Sequence, residues 1–137
     1  MRVFLDANVL FSASQAGSSF AGLIAWVHAE GTAVSSELAI EEARRNLALK
    51  RAAWLPDFEA LVPQLEIVPS IVFPLPVALA DKDVPLLCAA IRGGCDLFVT
   101  GDRRDFGHLM NRTIEGVRVL SPLQLAKLLA RPHPRRI

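Results

Sequence analysis

Short apolar segments with high β-propensity alternate along this chain with segments that carry helix signals. Strands are predicted at 3–5, 32–35, 66–68, 97–100 and 117–120. Helices are predicted at 19–30, 36–50, 56–65, 84–92 and 121–129. An alternation of strands and helices favours a parallel sheet, because a helix is the usual crossover between two parallel strands. The chain is therefore expected to have an α/β fold.

Length and composition limit the organisation of the chain. Its 137 residues are 52% hydrophobic, which suits one domain with a buried core. We expect a single domain over 1–130 and a basic, frayed tail over 131–137. With no signal segment and no run of about 20 apolar residues, a cytoplasmic protein is expected. Cys88 and Cys95 lack the spacing of a metal site and are expected to be buried and reduced.

The overall charge does not indicate a partner. The formal net charge is +1, so attraction to nucleic acid would have to come from local basic patches. Short basic clusters do occur, for example Arg103-Arg104 and Lys50-Arg51. Each of them is also compatible with an ordinary solvated surface.

Two aspartates directly follow predicted strands. Asp6 comes after Val3-Phe4-Leu5, and Asp102 comes after the strand that starts at Leu97. Groups just past the carboxyl ends of parallel strands gather in one crevice, where α/β folds bind ligands. Two carboxylates about 4 Å apart repel by roughly 4 kcal/mol at an effective dielectric constant near 20. A fold that brings them together needs a proton or a metal ion between them.

Glu42 is the third acidic candidate. Spacing residues by 100° along the helix places Glu42 beside Asn46, inside a broad apolar arc that includes Leu38 and Leu49. Glu41 falls on the opposite, solvated side. A carboxylate on the core-facing side needs a partner. Glu42 could pair with an arginine from another helix, or it could belong to a functional site together with Asp6 and Asp102.

Other polar residues near these positions have local explanations as well as functional ones. Asp83 is expected to be the N-cap of a helix with Pro85 in its first turn, and Asp81 to be a loop acid. Asp105 suits a turn or a cap. Asn8 either bonds the backbone of its own turn or holds a water molecule on a metal ion.

Taken in order, these segments resemble the acidic motifs of PIN-domain ribonucleases of the VapC-like group, the toxin components of toxin–antitoxin systems. The resemblance extends from residue 3 to about residue 129. The motifs that carry it are Leu5-Asp6-Ala7-Asn8-Val9-Leu10, Glu42 within 40–47, Asp83 ahead of Leu86-Leu87-Cys88-Ala89-Ala90, Val99-Thr100-Gly101-Asp102, and Ser121-Pro122-Leu123.

The resemblance implies a three-layer α/β/α sandwich with a central, mainly parallel sheet, and a Mg²⁺- or Mn²⁺-dependent endoribonuclease that leaves a 5′-phosphate and a 3′-hydroxyl. It implies that Asp6, Glu42, Asp83 and Asp102 are catalytic and bind the metal. Oxygen ligands of this kind suit Mg²⁺. Asp105 would be an auxiliary metal ligand, although two arginines separate it from Asp102. Asp81 competes with Asp83, but its spacing to the following helix is less suitable.

Substrate contacts and partners are also implied. Asn8 and Thr100 would be supporting polar groups at the substrate site, and Arg103 or Arg104 would contact a flanking phosphate of the RNA. The expected partners are an antitoxin protein that inserts into the active-site groove and a second copy of the chain. The apolar helix at 20–27 and the final helix are the only sequence support for a homodimer.

Two other functions stay open at this stage. One is an RNA- or partner-binding PIN module whose cleavage is latent or lost. The other is phosphoryl transfer through an aspartyl-phosphate on Asp6, which would need a second acid and a lysine nearby. Positions 7 and 8 are Ala and Asn, and the lysines of the chain are Lys50, Lys82 and Lys127.

Overall fold

A computed structural model describes residues 1–131 of the chain. The strands are β1 (Arg2–Leu5), β2 (Thr32–Ser36), β3 (Glu66–Val68), β4 (Leu97–Val99), β5 (Thr113–Ile114) and β6 (Val117–Leu120). The helices are α1 (Ala7–Ala13), α2 (Ser19–Glu30), α3 (Glu37–Lys50), α4 (Leu55–Leu61), α5 (Val84–Arg92), α6 (Arg103–Phe106) and α7 (Pro122–Ala130). Short 3-10 turns lie at Ala52–Trp54, Val62–Gln64 and Gly107–Leu109.

The six strands form one sheet in the order β3-β2-β1-β4-β6-β5. All neighbouring strands are parallel except β5 and β6. At the centre, Phe4 of β1 is in register with Val34 of β2 on one side and with Phe98 of β4 on the other. The strand order switches between β1 and β4, because β2 and β3 lie on one side of β1 and the later strands lie on the other. The carboxyl ends of β1 and β4 are therefore side by side, at the point where such sheets have a crevice.

Side chains on the two faces of the sheet form two separate cores. Val3 and Leu5 point to a core shared with helices α1, α2, α3 and α7. Phe4 points to the other face, where it stacks on Phe98 at 5.3 Å between ring centroids and packs with α5 and α6. Successive strand residues alternate between faces, so one strand supplies both cores. The resulting three-layer α/β/α sandwich with a mainly parallel sheet confirms the expected fold class.

Every predicted strand and helix is present, and the caps at Ser36 and Ser121 agree with the sequence signals. The Ser36 hydroxyl accepts the backbone N–H of Ala39 at the start of α3, and Ser121 forms a capping box with Gln124 at the start of α7. The predicted helix at 56–65 is shorter than expected, because α4 ends at Leu61 and a 3-10 turn follows. Cys88 and Cys95 are buried free thiols, as expected.

Three short elements are absent from the sequence prediction: α1, α6 and β5. Helices α1 and α6 start immediately after Asp6 and Asp102, and each aspartate caps its helix. Strand β5 forms an antiparallel hairpin with β6 through Glu115 and Gly116, whose φ angles are 49° and 86°. A two-residue turn with positive φ matches the right-handed twist of a hairpin.

The proposed division into a domain over 1–130 and a tail over 131–137 stays a prediction. Residues 132–137, which make up most of the predicted tail, lie outside the described residues. Within residues 1–131, none of the helices is both long enough and apolar enough to cross a membrane.

Candidate metal-binding active site

Asp6 lies at the carboxyl end of the central strand β1. Its backbone N–H donates to the carbonyl of Val99, which holds it beside the end of β4. The residue is only 3% exposed. One oxygen accepts the N–H of Ala7 at 2.8 Å, and the other accepts the Thr100 hydroxyl at 2.7 Å and the Asn8 amide at 3.2 Å. Asp6 is therefore both the cap of α1 and a buried acid at the sheet edge.

Thr100 and Asn8 join Asp6 to the Asp102 loop. The buried Thr100 hydroxyl donates to Asp6 and accepts the backbone N–H of Asp102 at 3.0 Å. The Asn8 side chain bridges the same loop, because its carbonyl accepts the N–H of Gly101 at 2.7 Å. The sequence resemblance implied that both residues are supporting polar groups. In the structure their hydrogen bonds connect Asp6 to the loop that leads into α6.

Three carboxylates converge next to this network. Oxygen atoms of Asp83, Asp102 and Asp105 all lie within 4.8 Å of one another. Asp102 caps α6 by accepting the backbone N–H of Asp105 at 3.0 Å, and this single turn of helix brings Asp105 round to the same side. The two arginines between Asp102 and Asp105 therefore do not prevent Asp105 from joining the group, a point that the sequence left open.

Asp83 occupies the N-cap position of α5, but its side chain makes no capping hydrogen bond. The expected N-cap position is confirmed, but the carboxylate is not used to cap the helix. The residue is 5% exposed, and its carboxylate faces the other two acids. Asp81 is exposed and is not a member of the group. Of the two competing acids, Asp83 is the one that the fold directs to the site.

Lys82 is a site residue that sequence reasoning missed. Its ammonium donates to Asp83 at 3.0 Å and to Asp105 at 2.7 Å, so one cation bridges two of the three converging carboxylates. Its position between Asp81 and Asp83 is the only signal in the sequence, and it does not reveal which acid the flexible side chain contacts. An ammonium in this place shows that the acidic group accommodates a cation, and an all-oxygen donor set fits Mg²⁺ or Mn²⁺.

Glu42 was expected on the core-facing side of α3, but it does not lie there. The buried residues of that helix are Ala39, Ile40, Ala43 and Leu47, whereas Glu42 is exposed. The apolar residues that widened the predicted arc, Leu38 and Leu49, are also exposed. Within residues 1–131 Glu42 forms no ion pair, so an arginine partner is not the explanation. It lines a cleft that borders Asn8.

Burial and hydrogen bonds shift the pKa values of several of these acids. The pKa of Asp6 is raised to about 6, mainly by burial; the Thr100 and Ala7 hydrogen bonds oppose the shift, and the negative charges of Glu42 and Asp83 add a smaller increase. Burial also raises the pKa of Asp83, with Lys82 opposing. The hydrogen bond from Lys82 lowers the pKa of Asp105. The contribution of Glu42 indicates that it lies near enough to Asp6 to act on it.

Comparisons with known proteins identify the fold. No protein-family model matches the chain, and no curated protein matches its sequence. Among solved structures, VapBC2 from Rickettsia felis, bound to promoter DNA, is 13% identical with a TM-score of 0.65, covering 88% of this chain and 98% of that one. A PilT N-terminus domain protein from Sulfolobus solfataricus is 13% identical with a TM-score of 0.56, covering 100% of both chains. The chain has the VapC-like PIN fold.

A third structure with this fold is VapC20 of Mycobacterium tuberculosis, described as a toxin that cleaves the sarcin–ricin loop. It is 11% identical with a TM-score of 0.53, covering 74% of this chain and 91% of that one. The motifs in the sequence thus lead to the same PIN fold as the coordinates. At such low identities the likeness concerns the fold, and the roles of individual residues depend on the geometry described above.

Two further residues lie at the rim of the site in this PIN fold. Arg103 and Arg104 occupy the first two positions of α6, directly after Asp102, and both are exposed. Both arginines therefore adjoin an acid of the site along the chain.

Lys82 is not positioned for an aspartyl-phosphate mechanism. It contacts Asp83 and Asp105, whereas Asp6, the aspartate that such a mechanism would use, is held by Thr100, Asn8 and Ala7.

Proposed function

We propose that this chain is a divalent-metal-dependent endoribonuclease and the toxin of a toxin–antitoxin pair. The observation that carries the proposal is the convergence of Asp83, Asp102 and Asp105 within 4.8 Å at the carboxyl edge of a parallel sheet. Asp6 is tied to this group through Thr100. Converging carboxylates need a proton or a cation between them, and Lys82 already bridges two of these acids. The toxins that share the fold, including one that cleaves the sarcin–ricin loop, support cleavage of RNA rather than another reaction.

Each residue has a specific part in this proposal. Asp6, Glu42, Asp83, Asp102 and Asp105 are assigned to hold Mg²⁺ or Mn²⁺. When bound, such an ion makes water more acidic and offsets the negative charge that develops on the phosphate. The protein's own task is to fix the carboxylates before substrate arrives.

Polar and basic neighbours complete the site. Thr100 and Asn8 hold the buried carboxylate of Asp6 in one orientation, which keeps an oxygen directed towards the start of α6. Arg103 and Arg104 are assigned to phosphates that flank the bond to be cut, because both are exposed at the rim. The combination of hydrogen-bonded acids and exposed cations suits a phosphodiester that binds across the sheet edge.

The antitoxin and a second copy of the chain belong to the same proposal, as does a cytoplasmic location. VapBC2 shares the fold, which supports an antitoxin partner. A hollow of about 420 Å³ between α2 and α7 is lined by Phe20, Leu23, Trp26 and Leu123. Trp26 and Leu123 are 38% and 61% exposed. Apolar side chains left in solvent at one face support a protein contact there.

Removal of divalent ions is the first test. We expect the purified chain to cleave single-stranded RNA with Mg²⁺ or Mn²⁺, to lose cleavage completely in EDTA, and to recover it when the ion is added back, because the acidic group cannot position a phosphate without a cation. Product ends analysed by mass spectrometry should carry 5′-phosphate and 3′-hydroxyl groups. Cleavage that persists in EDTA contradicts the proposal. Absence of cleavage from the chain freed of any bound protein favours the non-cleaving module instead.

Lys82 offers a second test that does not require catalysis. In metal-free protein, Lys82→Met should lower stability by about 1 kcal/mol, since an exposed lysine contributes little even to a buried acid. Mg²⁺ should raise the melting temperature of this variant more than that of the wild type, because the ion no longer has to displace an ammonium from Asp83 and Asp105. Lys127→Met, an exposed lysine on α7, is the control. Equal Mg²⁺-induced shifts in all three proteins contradict the assignment.

A further inference from the structure

The cleft that Glu42 lines has a volume of about 570 Å³ and lies next to the acidic site, at the junction of α1, α3 and the turn after α3. Its walls include Trp54, Phe11, Lys50, Arg51, Asn46 and Asn8. We call it the Trp54 cleft. Of the acids assigned to the metal site, Glu42 is the one that lines this cleft, and the other lining residues except Asn8 have no role in the proposed function.

The aromatic wall is held in a fixed position. Trp54 ends the 3-10 turn Ala52–Trp54, and its backbone N–H donates to the carbonyl of Arg51 at 2.9 Å. Phe11 of α1 meets the indole edge to face, with 5.7 Å between ring centroids and 62° between planes. The indole is only partly buried, so it presents some of its surface to the cleft. A rigid, partly open aromatic ring is a surface on which a planar group can stack.

The cleft also carries two basic side chains, beside the single acid Glu42. Lys50 and Arg51 are both exposed at the carboxyl end of α3, and the Arg51 guanidinium lies 5.7 Å from the Trp54 ring centroid. Within residues 1–131 Arg51 forms no ion pair, whereas Arg2 is paired with Glu66 and Arg44 with Glu59. The guanidinium lies over the Trp54 ring and donates one hydrogen bond to the Lys50 carbonyl at 2.8 Å. Its other N–H groups are suited to an anion joined to a flat group, such as a nucleotide.

The Trp54 cleft is continuous with the acidic site. Asn8 and Ser12 line it and also line a second hollow of about 460 Å³ that includes Gly101 and Asp102. Asn8 is itself bonded to Asp6 and Gly101. A single strand that lies in both hollows has one phosphate at the acids and a neighbouring nucleoside at Trp54.

We propose that the Trp54 cleft is a subsite for one nucleoside of single-stranded RNA, whose base stacks on Trp54 and whose phosphate is held by Lys50 and Arg51. This inference rests on the proposed nuclease function and adds the position of a base beside the cleaved bond. The base must be unpaired, because a base inside a duplex cannot offer its face to a protein ring. RNA is favoured over an acidic protein segment because the cleft combines its free cations with an aromatic ring and an amide.

Tryptophan fluorescence tests the subsite directly. The chain has two tryptophans and no tyrosine, so in Trp26→Phe the emission comes from Trp54 alone. In EDTA, a single-stranded oligoribonucleotide of about ten residues should quench that emission on binding. The same backbone made abasic should bind at least about tenfold more weakly, since a stacked base contributes on this scale. Because cleavage is stopped in EDTA, this result does not depend on whether the chain cuts RNA.

Variants separate stacking from charge. With labelled RNA and fluorescence anisotropy, Trp54→Leu and Arg51→Met should each weaken binding by about tenfold, and the Arg51 variant should also show a smaller dependence on salt. Trp26→Leu is the matched control, because Trp26 lines the separate hollow between α2 and α7. This variant should bind RNA as the wild type does. Arg51 is exposed, so its substitution tests the subsite even where loss of Trp54 disturbs packing with Phe11.

Several results overturn the inference. It fails if abasic and base-bearing RNA affect Trp54 equally, if polyglutamate quenches Trp54 as strongly as RNA does, or if Trp54→Leu and Arg51→Met bind RNA as the wild type does. These failures differ from failure of the nuclease proposal, in which the chain does not cut RNA with Mg²⁺ or Mn²⁺ while RNA still quenches Trp54.

Discussion

Asp83→Asn is expected to reduce RNA cleavage by at least about a hundredfold, whereas Asp81→Asn is expected to change it by no more than about twofold. The two acids are two positions apart in one loop, yet Asp83 faces Asp102 and Asp105 while Asp81 is exposed. A hundredfold loss corresponds to about 2.7 kcal/mol of transition-state stabilisation, within the range expected when a metal ligand loses its charge.

The design of this pair separates activity from folding. Asn has nearly the shape of Asp, and the Asp83 side chain makes no capping hydrogen bond that the substitution would remove. Burial already disfavours the charged form of Asp83, as its raised pKa shows, so the neutral amide should fold at least nearly as well. Loss of cleavage in Asp83→Asn with an unchanged melting temperature would therefore reflect the missing charge.

The measurement is the initial rate of RNA cleavage with Mg²⁺ at equal concentrations of folded protein, with thermal unfolding of each variant as the control. If Asp81→Asn is the inactive variant and Asp83→Asn remains active, the ligand assignment must be exchanged. If both remain active, neither acid takes part in the reaction, and the convergence with Asp102 and Asp105 has only a structural role.

Asp6 should make the metal-free protein less stable as the pH rises, by up to about 3 kcal/mol between about pH 4 and about pH 7. The folded-state pKa is about 6, above the ordinary value of 3.8. Below both values the carboxyl is protonated in the folded and the unfolded chain, and there is no cost. Between them the unfolded chain ionises first, so stability falls as the pH increases. Above both values the full cost of burying the charge is present.

Asp6→Asn isolates this contribution. At neutral pH the variant should be more stable than the wild type. Removal of the buried charge contributes about 3 kcal/mol. About 1 kcal/mol of this is lost, because the new amide group faces Thr100 and Asn8, which donate hydrogen bonds to Asp6 in the wild type. Near pH 4 that advantage should disappear. Urea unfolding in EDTA at a series of pH values measures the difference between the two proteins, in which titration of other groups cancels to first order.

Asp105→Asn provides a control of opposite sign. Lys82 lowers the pKa of Asp105, so its charge stabilises the fold above the ordinary pKa, and that contribution is lost as the pH falls through the lowered value. The stability difference between wild type and this variant should therefore grow with rising pH, opposite to that of Asp6. A stability difference for Asp6→Asn that does not vary with pH would show that Asp6 is not held in its charged form against a cost of burial.

The acids were predictable from sequence to different degrees for physical reasons. Asp6 and Asp102 follow strands, and the ends of parallel strands meet at one edge, so their neighbourhood followed from the strand pattern alone. Glu42 was misplaced because helical periodicity gives the angle of a residue around its axis but not the width of the sector that neighbouring elements cover. In α3 that sector is narrower than the apolar pattern, and Leu38 and Leu49 are left exposed.

Short helices were the other source of error. Helix α6 has four residues, and its only sequence mark is an aspartate that equally suits a turn. Its formation nevertheless determines the site, because the turn from Asp102 to Asp105 brings both carboxylates to Asp83. Lys82 could not be assigned for a related reason, since a long side chain in a loop can reach acids on either side of it.

Local sequence patterns were sufficient to predict the longer strands and helices, the caps at Ser36 and Ser121, and the aspartates that follow strands β1 and β4. All of these depend on residues close together along the chain. Which acids meet depends on contacts between distant residues, as in the hydrogen bond between Thr100 and Asp6 across 94 residues and the bridge from Lys82 to Asp105. Local preferences act within a few residues, whereas the composition of the site depends on how distant segments pack, and packing is set by all the buried side chains together.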